Sequence, residues 1–278
     1  MTVQIVTDSA ADLAPERAAA LGIRVVPLSI RFGDEEFTDG VQLTADAFYA
    51  KMASTDVFPA TAAPAPGAFE AAIRDAGANG DPVVVINISS ALSATMQSAE
   101  NAARAIGEDL DVRVVDSKSI TATLGLKAIA AAEAAAAGKS ADEVVALVED
   151  LRNRSQVFGA LSTLDNLKKG GRIGGAQAML GSMLSIKPII DISTGEVAEA
   201  GKVRTRGKAL VWLRDKLFEQ PHIDELVLCS GNADDVEELL DLIAPRYERD
   251  QVQLWTIGPV IGTHGGPGVI GFAWHAPA

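Results

Sequence analysis

Four short segments of the 278-residue chain gather the side chains that can do chemistry. Ser89-Ser90-Ala91-Leu92-Ser93-Ala94-Thr95 joins a β-branched run to a helical one. A helix beginning near Ser93 leaves its first backbone N–H groups unpaired and turns the positive end of its dipole outward. With the hydroxyls of Ser93 and Thr95, that makes a place for a carboxylate or a phosphate; ordinary capping is the plainer use of the same residues. Residues 58–66 carry Thr61 beside Pro59, Pro64 and Pro66, too many prolines for a helix or a central strand, so this reads as a loop. Gly262-Thr263-His264-Gly265-Gly266-Pro267-Gly268 sets one histidine in a glycine-rich stretch that reads as flexible surface. Around Asp8, residues 5–13 run Ile-Val-Thr-Asp-Ser-Ala-Ala-Asp-Leu.

Metal and nucleotide chemistry find little to work with. There are three histidines, one cysteine (Cys229) and no His-Glu-x-x-His. Asp8 and Asp116 could hold a hard cation, but both follow strands and read as caps. No Gly-x-x-x-x-Gly-Lys-Ser/Thr loop occurs, and Gly170-Gly171-Arg172-Ile173-Gly174-Gly175 follows a helix where a dinucleotide fingerprint follows a strand. An enzyme reading stays open, in which Ser93 is a nucleophile and His264 its base toward a carboxyl or phosphoryl substrate. Ser93 lacks the Gly-x-Ser-x-Gly elbow of many hydrolases. His222 and His275 have no polar context and receive no role.

The elements that must position these residues follow from periodicity. β-branched runs at 3–6, 23–30, 83–88 and 112–115 alternate with helical stretches at 15–21, 45–52, 67–76, 92–106, 122–137 and 141–152. That order predicts an N-terminal, doubly wound α/β domain with a parallel sheet. In such sheets the ligand crevice lies at the carboxyl ends of the strands, where Thr7-Asp8-Ser9, Ser89-Ser90 and Asp116-Ser117 fall. Beyond residue 155 the pattern changes. A strand at 157–161 leads to a short helix ending at Lys168-Lys169-Gly170, and a second helix covers 176–184. Strands at 187–192 and 197–203 form a hairpin about Thr194-Gly195, and a long helix spans 206–219. Strands at 226–229, 252–257 and 269–275, with a helix at 234–247, complete a C-terminal α/β domain with a mixed sheet. The expected domains are 1–155 and 156–278.

Composition limits the partners. The formal net charge of −13 excludes general nucleic-acid binding, which needs basic surface to displace phosphate counterions. Charge is uneven, however. Between Arg152 and Lys216 lie 12 Lys and Arg against 5 Asp and Glu, a window near +7. It reads as solvated helix faces or as a surface for an acidic partner. A single cysteine cannot form an intrachain disulfide, the N-terminus shows no targeting pattern, and the Ala-rich run at 120–138 carries Lys127 and Glu133. The expectation is a cytoplasmic protein without an integral membrane segment.

Taken together, the segments resemble the DegV family, the fatty-acid-binding (FakB-like) subunits of bacterial fatty acid kinase. The likeness spans the chain: Thr-Asp-Ser-Ala-Ala-Asp-Leu at 7–13, the Thr61 loop, Ser-Ser-Ala-Leu-Ser-Ala-Thr at 89–95 and Val-Asp-Ser at 115–117. It continues through Leu-Asp-Asn-Leu-Lys-Lys-Gly-Gly-Arg-Ile at 164–173, Ser-Ile-Lys-Pro-Ile at 185–189 and His-Gly-Gly-Pro-Gly at 264–268. The resemblance implies a non-enzymatic carrier that holds one long-chain fatty acid in a tunnel. Its ligand residues map onto Thr61, Ser93 and His264, with Thr95 beside them. It implies no cofactor or metal of the chain's own. The partner is a kinase with a dihydroxyacetone-kinase-like domain, which uses ATP and magnesium to make an acyl phosphate for phospholipid synthesis. Docking by a cation of the binding subunit points to Arg172, Lys202, Arg204 and Arg206, with Arg204 favoured. Two departures stand out: Thr61-Ala62-Ala63-Pro64-Ala65 replaces Thr-Ser-Gln-Pro-Ser, removing three polar side chains, and Ala94 adds a Cβ where the turn usually has Gly.

Physically, a buried carboxylate must be met by hydrogen bonds, which two hydroxyls, helix N–H groups and an imidazole can supply. The tail supplies affinity: about 0.8 kcal/mol per buried CH₂ gives on the order of 10 kcal/mol for about 16 carbons before association costs. Ile88, Leu92, Met96, Leu180, Met183, Leu184 and Ile186 are the candidates to line the tunnel, and each would serve equally as core.

Overall fold

Proline and short polar turns cut the N-terminal half into more pieces than its hydrophobic runs suggest. The protein's structure, a computed structural model, describes residues 2–179 and 186–277. In chain order the first elements are β1 (Gln4–Asp8), α1 (Pro15–Ala20), β2 (Arg24–Val26), β3 (Ser29–Phe32), β4 (Glu35–Thr38), α2 (Ala45–Ser54) and β5 (Ala60–Ala62). There follow α3 (Pro66–Ala76), β6 (Val83–Asn87), α4 (Thr95–Ile106), β7 (Val112–Asp116), α5 (Thr121–Ala136) and α6 (Ala141–Arg154). The remainder comprises β8 (Ser155–Ala160), α7 (Asp165–Lys169), β9 (Lys187–Asp191), β10 (Ala198–Val203), α8 (Arg206–Phe218) and β11 (Glu225–Gly231). It ends with α9 (Val236–Ile243), β12 (Gln253–Thr256), α10 (Pro259–Gly265) and β13 (Val269–His275).

The expected parallel sheet forms in the order β2-β1-β6-β7, with Val6 opposite Val85 and Val85 opposite Val114. The mixed sheet has the order β10-β9-β8-β13-β11-β12 and is antiparallel except for the β11–β12 pair. The fold is therefore α/β, with a parallel sheet and a mixed sheet.

A third, antiparallel sheet, β4-β3-β5, departs from expectation. The run at 23–30 is not one strand. Pro27 cannot donate to a ladder and fixes its own φ, so the chain leaves the parallel sheet after Val26 and pairs afresh from Ser29. The Thr61 segment is an edge strand of this small sheet, with Thr61 opposite Ile30. The helix expected at 176–184 is a 3₁₀ stretch, Gly174–Met179, as far as residue 179; Leu180, Met183, Leu184 and Ser185 lie outside the described residues.

Helix α5 packs against β1 and β6 of the parallel sheet and against β8, β11 and β13 of the mixed one. A helix sandwiched between two sheets must be apolar on nearly all sides, which accounts for its Ala-rich sequence and near-complete burial. It also buries Lys127 fully. The ammonium is met by Ser119 Oγ and Ser155 Oγ, each at 2.6 Å, and by the Thr123 carbonyl at 3.3 Å. Ser155 Oγ also contacts His275 Nδ1 at 3.0 Å, so His275, given no role in the sequence, sits in a buried polar cluster. Helices α3 and α4 cover the opposite face of the parallel sheet, and α8 and α9 that of the mixed sheet, each over its own apolar cluster.

The carboxyl ends of the parallel strands are tied together. Asp8 accepts from the Ile88 N–H at 2.8 Å, from Asn87 Nδ2 at 3.1 Å and from the Ala10 N–H at 3.1 Å, the capping role expected of it. Asp116 accepts from the Ser90 hydroxyl at 2.6 Å and from the Lys118 N–H at 2.9 Å. Ser89 Oγ donates to the Gly195 carbonyl at 2.6 Å, joining this edge to the turn between β9 and β10. Gly195 has φ of +88°, and a Cβ there would lie 2.7 Å from that hydroxyl, so only glycine permits the contact.

Candidate functional site

Three segments far apart in the chain meet at one cavity. Thr61 reaches it from β5, Ser93 from the turn before α4 and His264 from the last turn of α10. The cavity contains about 860 Å³ of empty space, part of it open to solvent. Its wall is made mostly of aliphatic and aromatic side chains, among them Leu28, Ile88, Leu92, Phe158, Ile190 and Phe272. The polar side chains on it are Thr61, Ser93, Thr121, Arg172, Cys229 and His264. Of the described lining candidates, Ile88 and Leu92 face the cavity; Met96 and Ile186 are not among the residues that line it, and Ile186 packs against the main core instead.

Thr61 Oγ1 and His264 Nε2 stand 3.1 Å apart, a direct hydrogen bond across 203 residues of sequence. The glycine-rich stretch is not flexible surface. Pro259 begins α10, and the Thr263 hydroxyl donates back to the Pro259 carbonyl at 2.8 Å. Its glycines serve packing: a Cβ at Gly262 would lie 2.6 Å from the Tyr49 hydroxyl. The imidazole has the same need on its other side, where a Cβ at Gly170 would come within 2.3 Å of His264 Nδ1. That nitrogen is buried without a hydrogen bond. Burial, and secondarily the Arg172 charge, lower the His264 pKa to about 4, so the ring is neutral at pH 7.

Ser93 is prepared by its own turn. Its N–H donates to the Ser89 carbonyl at 3.2 Å, and its Oγ lies 2.8 Å from Thr95 Oγ1 and accepts from the Thr95 N–H at 3.3 Å. The helix begins at Thr95 rather than at Ser93, with Ala94 at the N-cap and no side chain capping it. The Thr95 amide is taken by Ser93 Oγ, and no N-cap side chain accepts from the amides that follow it, as an anion site requires. Thr95 is fully buried and meets the site through Ser93 rather than through the cavity wall. Ala94 is exposed and lies off the wall, so its Cβ does not narrow the cavity. Ser93 Oγ is engaged with Thr95 and His264 with Thr61, and no hydrogen bond links Ser93 to His264.

The four expected docking cations part company. Arg172 turns inward, donating to the Leu92 carbonyl at 3.1 Å and to the Gly170 carbonyl at 2.8 Å. It thus lines the cavity with His264 and its charge acts on that ring, a placement that its sequence neighbourhood did not reveal. Arg206 is held by Asp235 in a bidentate pair at 2.5 and 2.8 Å. Lys202 is exposed, with Glu199 at 3.7 Å, and Arg204 is exposed just beyond β10. Among the described residues no group of three or more His, Cys, Asp or Glu is placed to hold a metal ion, and no helix is long and apolar enough to cross a membrane.

Comparison with known proteins adds relatives of full length. Residues 2–276 match the family described as "Uncharacterised protein, DegV family". A DegV domain-containing protein of Deinococcus radiodurans is 36% identical over 278 residues, covering 98% of each chain. Among solved structures, one described as "Fatty Acid Binding of a DegV family Protein from Thermus thermophilus" is similar at a TM-score of 0.92 and 32% identity, with all of both chains covered. A fatty acid (stearic acid)-binding protein from Eubacterium ventriosum is similar at a TM-score of 0.87 and 28% identity, over 99% of this chain and 98% of that one.

Proposed function

The chain belongs to the DegV family, and from that premise we propose that it is a carrier that holds one long-chain fatty acid in the cavity and presents the carboxyl group to a partner kinase. The observation that carries this reading is the Thr61–His264 pair, set with Ser93 on the wall of an otherwise apolar cavity. An apolar wall stabilises the tail, and the polar cluster meets the one group of a fatty acid that cannot be buried alone. Both Thr61 Oγ1 and Ser93 Oγ are hydroxyls that can rotate from their present partners toward a carboxylate oxygen. Neutral imidazole can donate from one nitrogen while accepting at the other. The named ligands of similar proteins, fatty acid and stearic acid, support the same assignment.

In this reading the chain performs no chemistry itself. Ser93 is not activated, because the group that could deprotonate it is spent on Thr61. Exposed Lys202 and Arg204 are the cations offered to the acidic surface of a kinase, with Arg172 and Arg206 holding the adjoining structure. The kinase would supply ATP and magnesium, and the acyl phosphate would serve phospholipid synthesis in the cytoplasm. The division into units at 1–155 and 156–278 belongs to the same proposal.

Denaturing mass spectrometry of protein purified from a bacterial host tests it. A co-purified fatty acid in near-equal amount is expected. Protein that never carries a fatty acid and hydrolyses acyl esters through Ser93 would overturn the carrier reading.

A further inference from the structure

Glycine inside a central strand weakens it, since it packs no side chain and loses the most backbone freedom on folding, so its presence there needs a reason. Gly159 stands in β8, between β9 and β13, and the ordinary reasons do not apply to it. Its φ is not positive, and a Cβ added there would meet nothing nearer than the Ile190 side chain at 3.8 Å. Gly271, opposite it on β13, is different. A Cβ there would collide with the Phe158 carbonyl oxygen, so the close approach of the two backbones accounts for that glycine. Neither backbone conformation nor packing within the chain accounts for Gly159.

The row of residues that contains it shows what the missing side chain leaves. Across the mixed sheet, Ile190 lies opposite Gly159, Gly159 opposite Gly271, Gly271 opposite Cys229 and Cys229 opposite Trp255. Side-chain alternation sets this row on the face that α5 covers: Ile190 and Cys229 belong to the main apolar cluster, whereas Phe158 and Phe272 belong to the one under α8 and α9. The paired glycines therefore open a gap between the Ile190 and Cys229 side chains, two strands wide or about 10 Å. Ile190, Gly159, Gly271 and Cys229 all line the cavity that carries Thr61, Ser93 and His264, and Gly159 keeps accessible surface there. Along β13 the gap lies two residues, about 7 Å, beyond Val269, where the strand leaves the turn after His264. Val157, two residues further along β8, still lines the cavity, so the space continues past the glycines.

We propose that Gly159 sets the length of acyl chain that the cavity accepts: the distal part of a long tail lies against its bare backbone, in the gap between Ile190 and Cys229. The inference rests on the fatty-acid reading of the cavity and adds the position that selects among chains. Each methylene laid in the gap leaves water, so affinity rises with length for as long as the gap takes the added carbons. A side chain at 159 would fill the same space, and a close-packed sheet flanked by helices cannot yield it elsewhere. Carbons between the carboxyl group and the gap would not feel that side chain; carbons beyond it would.

The test measures the affinity of the delipidated full chain for straight saturated acids from octanoic to stearic. Wild-type affinity is expected to climb roughly fourfold per added CH₂. In Gly159→Leu the climb is expected to stop at a shorter chain, leaving the shorter acids bound as by the wild type and stearic acid bound roughly 10-fold or more weakly. Gly159→Ala, the smallest added side chain, is expected to show the same break with a smaller loss, and it decides should the leucine variant fail to fold. Identical profiles in the wild type and a folded variant would overturn the proposal. So would an equal loss at every length, which would place the effect at the carboxyl end rather than on the tail. If the wild type binds none of these acids, the fatty-acid reading itself falls.

Discussion

Lys127 is a charge in the wrong place, and its consequence for stability can be measured. Burial, and secondarily the Arg152 charge, lower its pKa from the ordinary 10.5 to about 7. Between those two values the unfolded chain binds a proton that the folded chain does not, so stability rises with pH through that window. At about 1.4 kcal/mol per pH unit, and with the folded group half-titrated near pH 7, the gain from pH 7 to pH 9 is about 2 kcal/mol. The perturbation is Lys127→Met, which fills similar space without a charge. Two side effects oppose each other at any single pH: the charge penalty disappears, and Ser119 and Ser155 lose their shared donor. The slope against pH isolates the charge. Other groups also titrate. Asp12, pushed well above the ordinary carboxylate range by burial, works in the opposite direction up to its folded-state value, and His275, with its pKa lowered to about 3 by burial and then by Lys127 and Arg154, is silent above pH 7 in the folded state. Both are present in wild type and variant, so they cancel to first order in the difference. The assay is urea unfolding of each protein at pH 7 and pH 9. Wild type is expected to gain about 2 kcal/mol more than Lys127→Met between the two; parallel curves would refute a deprotonating lysine at the centre of α5.

Two further outcomes follow from particular contacts. Thr61→Val removes the hydroxyl that faces His264 while suiting an edge strand, so fatty-acid affinity should fall roughly 10-fold or more with little change in thermal unfolding; equal affinities would remove Thr61 from the site. The facing glycines of β8 and β13 should behave oppositely: a Cβ at Gly271 would lie 2.0 Å from the Phe158 carbonyl oxygen, whereas one at Gly159 finds nothing nearer than 3.8 Å. Gly271→Ala is accordingly expected to cost about 3 kcal/mol or more and Gly159→Ala less than about 1, as measured by denaturant midpoints at constant slope.

What the sequence disclosed follows the range of the forces involved. Hydrophobic runs and caps are local, and they placed the four parallel strands and most helices within a few residues, because the strands of a covered parallel sheet are near-continuous apolar stretches. The β4 strand, Glu-Glu-Phe-Thr, has no such run, and it exists only because β3 offers it a ladder. Helix α10 was hidden for a different reason. Gly262 and Gly265 look like helix breakers when neighbours are unknown; beside Tyr49 and Val269 they are what allows the helix to pack closely. The same blindness affected His264, which looked mobile among glycines and is instead fixed between Thr61 and Gly170. Thr61, Ser93 and His264 were named from their motifs, whereas the inward turn of Arg172 depends on the carbonyls of Leu92 and Gly170, which nothing local announces.

The placement of Arg172 gives the site its electrostatic logic. Burial keeps the His264 imidazole neutral, and the guanidinium adds to it, because two cations in a weakly polarisable setting repel. The site therefore holds a permanent positive charge with no carboxylate paired to it among the described residues, beside two hydroxyls and the start of α4. Under the proposed function, an entering fatty acid would supply the matching negative charge beside these groups. Its tail alone would stabilise any sufficiently long apolar molecule in any register. It is the charge, fixed by contacts from the turn before α4 and the end of α7, that sets where the carboxyl must stop. If the chain hands one end of its ligand to a partner, as proposed above, that fixed stop matters more than additional affinity.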